Sequence, residues 1–277
     1  MARWLAGDRA IVEGPRPRVM AILNVTPDSF SDGGRADTLA RAIDRAERLV
    51  AEGADLLDIG GESSRPGASV VPADEEIARV VPVVEALAKR VKVPISVDTT
   101  KLEVARPSLD AGAAIINDIR GLDDPELASL VASRGAGVVL MHMQGTPRTM
   151  QDAPTYADVV AEVRADLRRR VDRAVAAGID PERIAIDPGI GFGKTNTHSL
   201  ALLRELATFA AIGPVLLIGT SRKGFLGKIT GRQVGDRAVA SAVSALAAAT
   251  LGAKVLRVHD VGPTVDALKV WEAQRGL

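Results

Sequence analysis

Eight short apolar runs recur along the chain, and almost every one ends in a polar cluster. With their polar ends, the runs occupy residues 19–24, 56–62, 95–98, 114–118, 138–142, 184–187, 216–221 and 255–260. A strand buried on both faces reads as a continuous apolar stretch, and six of the eight runs are followed by a helical pattern. We therefore predict an α/β fold: a (β/α)8 TIM barrel that forms one domain over residues 1–277, with the active site at the C-terminal strand ends.

The segments between the runs predict the helices of this barrel. Asp37 or Thr38 can cap a first helix that ends at Gly53. Residues 74–76 place negative charge at the start of a second helix, in which Pro82 predicts a kink. Further helices are expected at residues 102–111, which include Pro107, at 158–178, which form the longest helix, and at 235–252, which are rich in alanine.

Composition narrows the classes of function. The chain has 35 Lys and Arg against 35 Asp and Glu, and its basic residues are scattered, so we expect no binding of nucleic acid. Cysteine is absent, which excludes disulfides and thiolate chemistry and is compatible with the cytoplasm. Residues 1–18 lack the apolar core of a signal peptide, and no apolar stretch approaches the length of a membrane span.

Two loops and the last strand suggest an anion site. Residues 24–34 and 60–67 form polar, glycine-containing loops, and the second loop adds hydroxyl groups and an arginine; two ordinary turn-rich loops are the alternative. Arg257 and His259 lie two residues apart, so both side chains face the same side of a strand. A buried arginine needs an anion, and a phosphate in the pocket would supply it. His259 could also be a hydrogen-bonded core histidine.

A second group of polar residues could hold a heterocycle. Asp98, Asn117, Asp187 and Lys223 come from four different strand ends. Carboxylates can accept the N–H groups of a ring with an amidine-like edge, while a lysine donates to its carbonyl. Taken singly, each residue could instead be a cap or a turn residue. A barrel lysine such as Lys223 could also form a Schiff base with a carbonyl substrate.

Several long motifs resemble the signatures of the dihydropteroate synthase family. They lie at residues 24–34, 58–67, 97–99, 117–119, 141–145, 187–194, 221–223 and 257–260, in the family's order. The resemblance implies a transferase of folate biosynthesis. Such an enzyme joins 6-hydroxymethyl-7,8-dihydropterin diphosphate to 4-aminobenzoate and gives 7,8-dihydropteroate and diphosphate. It also implies a cytoplasmic homodimer that is a target of sulfonamides and acts on small molecules rather than at a membrane.

The resemblance further implies roles for individual residues. The pterin would be held by Asp98, Asn117, Met141, Asp187, Phe192 and Lys223. The diphosphate would be held by Asn24, Ser64, Arg257 and His259, with Mg²⁺ bound near it by Asn24. The 4-aminobenzoate pocket would be shaped by Phe30, Pro66 and Ser221. The residues closest to catalysis would be Asp98, Lys223, Arg257 and Arg65, the last of which would steady the ordered loops.

The implied chemistry depends on the leaving group. A dihydropterin can stabilise positive charge on its methylene carbon, so loss of diphosphate can precede attack by the arylamine. The site then has to neutralise the leaving group and shield the cation from water. Two residues depart from expectation: Ser64 stands where many members have threonine, but keeps the hydroxyl, and Pro107 bears on local stability alone.

Two rival functions fit less of the sequence. A pterin-binding methyltransferase shares the barrel and the Asp/Asn/Asp pterin contacts, and would use a methylated folate and a corrinoid partner. It leaves the motifs at residues 64–67 and 221–223 unexplained. A non-catalytic paralogue would have lost a residue of the cage or the anion site, and none is lost.

Overall fold

Eight parallel strands close into a barrel in which the last strand lies beside the first. The structure is a computed structural model, and it describes residues 3–26, 35–65 and 67–276. An N-terminal pair, β1 (Arg3–Ala6) and β2 (Arg9–Glu13), precedes the barrel. The barrel strands are β3 (Arg18–Asn24), β4 (Leu56–Gly60), β5 (Ile95–Asp98), β6 (Ile115–Asp118), β7 (Gly137–Met141), β8 (Ile184–Asp187), β9 (Val215–Ile218) and β10 (Val255–Val258). The predicted barrel is confirmed.

Helices cover the outside of the barrel. They are α1 (Arg35–Ala51), α2 (Ala73–Ala88), α3 (Leu102–Asp110), α4 (Pro125–Arg134), α5 (Val159–Ala176), α6 (Asn196–Arg204), α7 (Leu206–Ala210), α8 (Gly224–Thr230), α9 (Ala238–Thr250) and α10 (Val261–Arg275). Their buried faces pack on the outward side chains of the strands in one large apolar cluster. Within the described part of the chain, no helix is both long enough and apolar enough to cross a membrane.

The helix predictions hold in outline and differ at their ends. The helix α1 begins at Arg35, so the expected cap at Asp37 or Thr38 is wrong; Arg35 and Ala36 are strong helix formers and extend the helix backwards. The helix α3 forms as expected and includes Pro107. The helix α2 runs through Pro82, where the kink stays a prediction.

The last predicted helix is shorter than expected. The helix α9 covers Ala238–Thr250, while the expected start at Gly235 lies in a short 3-10 turn, Val234–Asp236. Glycine is a poor helix former, which explains why the regular helix begins only after it. The expectation that α5 is the longest helix is confirmed, at 18 residues.

The sequence analysis did not anticipate the N-terminal hairpin. Strands β1 and β2 pair antiparallel, and their apolar residues close the N-terminal end of the barrel. Trp4 is fully buried there against Met20 and Leu56, and its indole Nε1 donates to the carbonyl of Arg183 at 3.0 Å. This plug fills the lower interior with apolar side chains, so the polar inward side chains lie toward the opposite end.

The strand register sets the height of the polar residues. Asn24 on β3 lies opposite Gly60 on β4, Gly60 lies opposite Asp98 on β5, and Asp98 lies opposite Asn117 on β6. On the far side of the barrel, Met141 on β7 lies opposite Asp187 on β8. These residues therefore lie at or next to the ends of their strands, at one rim, as the barrel prediction requires.

Candidate active site

The floor of the site is an arginine held between two carboxylates. Arg257 on β10 donates from Nε to Oδ2 of Asp58 at 2.6 Å, and from Nη2 to Oδ2 of Asp98 at 2.7 Å. Asn117 donates from Nδ2 to the same oxygen of Asp58 at 3.1 Å. Asp58 is fully buried, and these two partners offset the large cost of burying its charge.

This floor corrects the expected surroundings of Arg257. Sequence reasoning gave the buried guanidinium a phosphate as its anion, but Asp58 and Asp98 supply two anions from the protein itself. Burial raises the pKa of Asp98, Arg257 opposes that rise, and the neighbouring Asp58 adds to it. Within the described residues, Nη1 of Arg257 has no hydrogen-bond partner, which leaves it available to a ligand.

The opposite wall is formed by the ends of β7 and β8. Asp187 is buried, and its Oδ1 accepts a hydrogen bond from the backbone N–H of Gly189 at 2.7 Å. Burial raises the pKa of Asp187, although the N–H of Gly189 and the charge of Lys223 oppose that rise. Met141 is buried beside it in the register of the two strands. A carboxyl group and an apolar surface thus lie together, as a flat heterocycle with N–H groups requires.

Lys223 and Phe192 face each other across the site. The ammonium Nζ of Lys223 lies 4.1 Å from the centroid of the Phe192 ring, within the range of a cation–π contact. Burial lowers the pKa of Lys223 to about 8, whereas Asp187 and Asp98 favour its charged form. The predicted cage residues are therefore brought together around one space, with Lys223 close to the carboxylates from β5 and β8.

His259 and Ser221, which were predicted for different pockets, contact each other. The backbone N–H of His259 donates to Oγ of Ser221 at 3.1 Å, and Nδ1 of the ring lies 3.1 Å from the same oxygen. Burial and, to a smaller extent, the charge of Arg257 lower the pKa of His259 to about 3, so the imidazole is neutral. Ser221 can then donate to Nδ1, which places the proton of the ring on Nε2, a donor for an anion.

An ion pair joins the loops that follow β9 and β10. Arg222 donates from Nε to Oδ2 of Asp260 at 3.0 Å and from Nη2 to Oδ1 at 2.5 Å. Arg222 has a positive φ of 59°, an unusual conformation for a residue other than glycine. Since Ser221 and Lys223 flank Arg222, this bidentate pair fixes both neighbours relative to the end of β10.

The loop after β4 is anchored at its base, away from its tip. Lys101 pairs with Glu62 of this loop and, at 2.5 Å, with Glu76 of α2. Arg65 is exposed, and neither its side chain nor that of Ser64 is hydrogen-bonded to another described residue. Among the described residues, these two predicted side chains are therefore not linked to the cage.

The metal prediction depends on Asn24, which is half-buried at the end of β3. No cluster of three or more His, Asp or Glu among the described residues could hold a metal ion by itself. Mg²⁺ keeps several waters and often binds through one or two protein oxygens together with substrate phosphates. The amide oxygen of Asn24 fits a site of that shared kind. Phe30 and Pro66, predicted for the 4-aminobenzoate pocket, lie outside the described residues.

Sequence reasoning missed three contributors to the site. Asp58 had a readable signal, because a charged residue inside an apolar run, two positions before Gly60, faces the barrel interior with it. Lys194 and His142 form a buried contact at 2.8 Å between two loops. Since the two residues lie 52 positions apart, no local pattern pairs them.

A parallel barrel with a deep polar cage at its C-terminal rim defines an enzyme that binds a small polar ring. The family described as "Pterin binding enzyme" matches residues 20–259 of the chain. The dihydropteroate synthase of Escherichia coli strain K12 is 49% identical over 257 residues, which cover 93% of this chain and 91% of that protein. The chain belongs to the dihydropteroate synthase family.

Solved structures agree with this assignment. The Xanthomonas albilineans dihydropteroate synthase in complex with 7,8-dihydropteroate superposes with a TM-score of 0.89 at 46% identity, covering 99% of both chains. The Yersinia pestis enzyme, solved as a complex with a sulfonamide drug, gives a TM-score of 0.93 at 45% identity and covers 99% of this chain and 100% of that chain.

Proposed function

We propose that the protein condenses 6-hydroxymethyl-7,8-dihydropterin diphosphate with 4-aminobenzoate, which makes it a transferase of folate biosynthesis. The observation that carries this proposal is the cage, in which carboxyls from β4, β5 and β8 surround Arg257 and Lys223 in a family of pterin-binding enzymes. Relatives that cover nearly the whole chain bear the name of this activity.

The cage suits the pterin ring by its mixture of donors and acceptors. Asp187 and Asn117 offer oxygens to the N–H groups of the ring, and Lys223 offers an ammonium to its carbonyl. Phe192 and Met141 give the ring apolar surfaces. Asp98 is held by Arg257, so its position is fixed before the substrate arrives.

The reaction replaces one bond at the methylene carbon. The C–O bond to diphosphate breaks with its electron pair on the leaving oxygen, and the amine nitrogen of 4-aminobenzoate forms the new C–N bond and then loses a proton to solvent. No nucleophile of the protein takes part. The protein holds the pterin, neutralises the departing charge and excludes water from the cation.

The leaving group would be met by donors near the ends of β4 and β10. We assign it to Arg257 through Nη1, to His259 through Nε2–H and to Ser64. Asn24 would hold Mg²⁺ together with diphosphate oxygens, and the ion would supply charge neutralisation when bound. We assign 4-aminobenzoate to a pocket made by Phe30, Pro66 and Ser221 with help from Arg65. A sulfonamide, which mimics this substrate, would compete for that pocket.

The test of the function is the release of diphosphate by the purified protein with both substrates and Mg²⁺, together with identification of 7,8-dihydropteroate by mass. Release that requires both substrates supports a synthase. Binding of the pterin without turnover would instead support a non-catalytic paralogue. Transfer of a methyl group from a methylated folate to a corrinoid would support the methyltransferase.

We also propose that the protein is a cytoplasmic homodimer. The helices α8 and α9 flank an apolar groove of about 850 Å³, and Ile229, Val239 and Val243 beside it are 63%, 75% and 62% exposed. A second copy of the chain, pairing through this surface, would cover these side chains. Analytical ultracentrifugation of the wild type and of Val239→Glu/Val243→Glu tests this: a monomeric wild type would refute it. The cytoplasmic location rests on the cysteine-free composition.

A further inference from the structure

A fully hydrogen-bonded lysine lies in the wall of the site, behind the residues that face the substrate. Lys194 is 3% exposed and ends the loop that follows β8. Its Nζ contacts Nδ1 of His142 at 2.8 Å, the carbonyl of Phe192 at 2.9 Å and the carbonyl of His142 at 3.4 Å. A lysine ammonium has three N–H groups, so these three acceptors match its full donor capacity.

Burial favours the neutral form of both partners. Burial lowers the pKa of His142, and the neighbouring Lys194 lowers it further, so the imidazole is neutral and Nδ1 can accept a hydrogen bond. Burial also lowers the pKa of Lys194, to about 7, whereas Asp187 favours its charged form. Nζ of Lys194 contacts two carbonyl oxygens and a ring nitrogen, and no carboxylate of a described residue lies in contact with it.

Other contacts also hold the loop that bears Phe192. Its successive carbonyls each accept from a side chain: Gly191 from Gln151 at 2.7 Å, Phe192 from Lys194, and Gly193 from Tyr156 at 2.8 Å. The backbone also packs closely on the loop after β7. A Cβ at Gly193, which has a positive φ of 59°, would lie 2.4 Å from the carbonyl oxygen of Gln144. Of the three side chains that donate to these carbonyls, Lys194 is the one that can carry a positive charge.

We propose that Lys194 and His142 form a positioning pair that holds the ring of Phe192 against Lys223 and thereby shapes the pterin site. This inference rests on the proposed function. Lys194 does not touch the substrate; it acts through the Phe192 carbonyl, and the Phe192 ring lies 4.1 Å from Nζ of Lys223. His142 also fixes the end of β8, because its backbone N–H donates to the carbonyl of Asp187 at 2.9 Å.

The first experiment measures pterin binding by calorimetry, with 6-hydroxymethyl-7,8-dihydropterin as the probe. We expect Lys194→Met to weaken binding by about 2- to 30-fold, the range for residues that modulate a site without contacting its ligand. His142→Ala removes one of the three contacts of Lys194 Nζ and should weaken pterin binding less. It is the second test variant in case Lys194→Met does not fold. Leu127→Ala, a fully buried residue of α4, is the destabilised control and should keep wild-type affinity.

A double-mutant cycle separates positioning from general loss of stability. If Lys194 acts through Phe192, then Lys194→Met should add little to the loss of affinity already caused by Phe192→Ala. In turnover, KM for the pterin diphosphate should rise, while KM for 4-aminobenzoate and kcat change little. Wild-type affinity in folded Lys194→Met and His142→Ala, or additive losses in the cycle, would overturn the proposal while leaving the function standing. A wild type that fails to bind the pterin would overturn both.

Discussion

The substitution Arg257→Ala tests the electrostatic floor of the site. It removes the one guanidinium whose nitrogens lie 2.6 Å from Asp58 and 2.7 Å from Asp98. The side chain of Asp98 keeps 14% exposure and can gain water, but Asp58 is fully buried and would keep only the amide of Asn117. The main cost of the substitution therefore falls on Asp58.

The magnitude follows from that burial. Removal of one partner from a buried pair costs about 3–5 kcal/mol of unfolding free energy at neutral pH. For a chain of this size, that corresponds to a fall in Tm of roughly 6–20 °C. Arg257 also opposes the rise that burial causes in the pKa of Asp98, so in the variant Asp98 should bind a proton more readily in the folded than in the unfolded state. Linkage then requires the variant's stability to decrease as pH rises, by at most about 1.4 kcal/mol per pH unit.

The assay is denaturant unfolding of the wild type and the variant at pH 5.5 and pH 8. The loss relative to the wild type should be larger at pH 8. The double variant Asp98→Asn/Arg257→Ala is the matched control, because it removes the carboxyl that titrates and should lose most of the added pH dependence. A variant as stable as the wild type at pH 8, or an equal loss at both pH values, would refute the reasoning.

Three further predictions concern binding and the barrel plug. Asp187→Ala should weaken pterin binding by about 1.5–3 kcal/mol or more in a folded protein, because a buried charge-assisted pair is lost; undiminished affinity in calorimetry would contradict the cage. 4-Aminobenzoate and sulfonamides should bind weakly to the free protein and well with diphosphate and Mg²⁺, since these would order the loops at residues 24–34 and 60–67. Equal affinity in both states would count against a pocket built by those loops. Trp4→Ala should lower stability by about 3–5 kcal/mol and leave kcat unchanged at low temperature. Unfolding and steady-state assays check this, and a fall in kcat without a loss of stability would show that the plug acts on the site.

Local pattern predicted the strands and most of the cage. Asp98, Asn117 and Asp187 were identified because each ends a continuous apolar run, and a parallel barrel places all such ends on one rim. The pattern did not reveal which of these groups would pair with each other. Arg257 meets Asp58 across 199 positions of sequence, a contact that exists only because the barrel closes.

The helix ends and the plug show a second limit. The start of α1 was misplaced because a capping residue is one option among several at a helix end, and good helix formers before it can extend the helix. The hairpin was missed because charged residues lie in both of its strands, and their burial follows from packing under the barrel rather than from an apolar run. Long periodic segments thus predict elements, while the packing that closes the barrel determines their partners.

The ion pairs of Arg257 with Asp58 and Asp98 bear on which residues would bind the diphosphate. Asp58 and Asp98 already accept hydrogen bonds from Nε and Nη2 of Arg257. Among the described residues, only Nη1 is left to donate to the diphosphate. In the proposed reaction, the neutral His259 and a Mg²⁺ ion held by Asn24 would then neutralise more of the charge of the diphosphate. The hydrogen bond from Arg257 also fixes the position of Asp98, which is proposed to bind the pterin. In the proposed reaction the same guanidinium would therefore act twice: it would hold Asp98 in position for the pterin, and it would stabilise the departing charge as the C–O bond breaks.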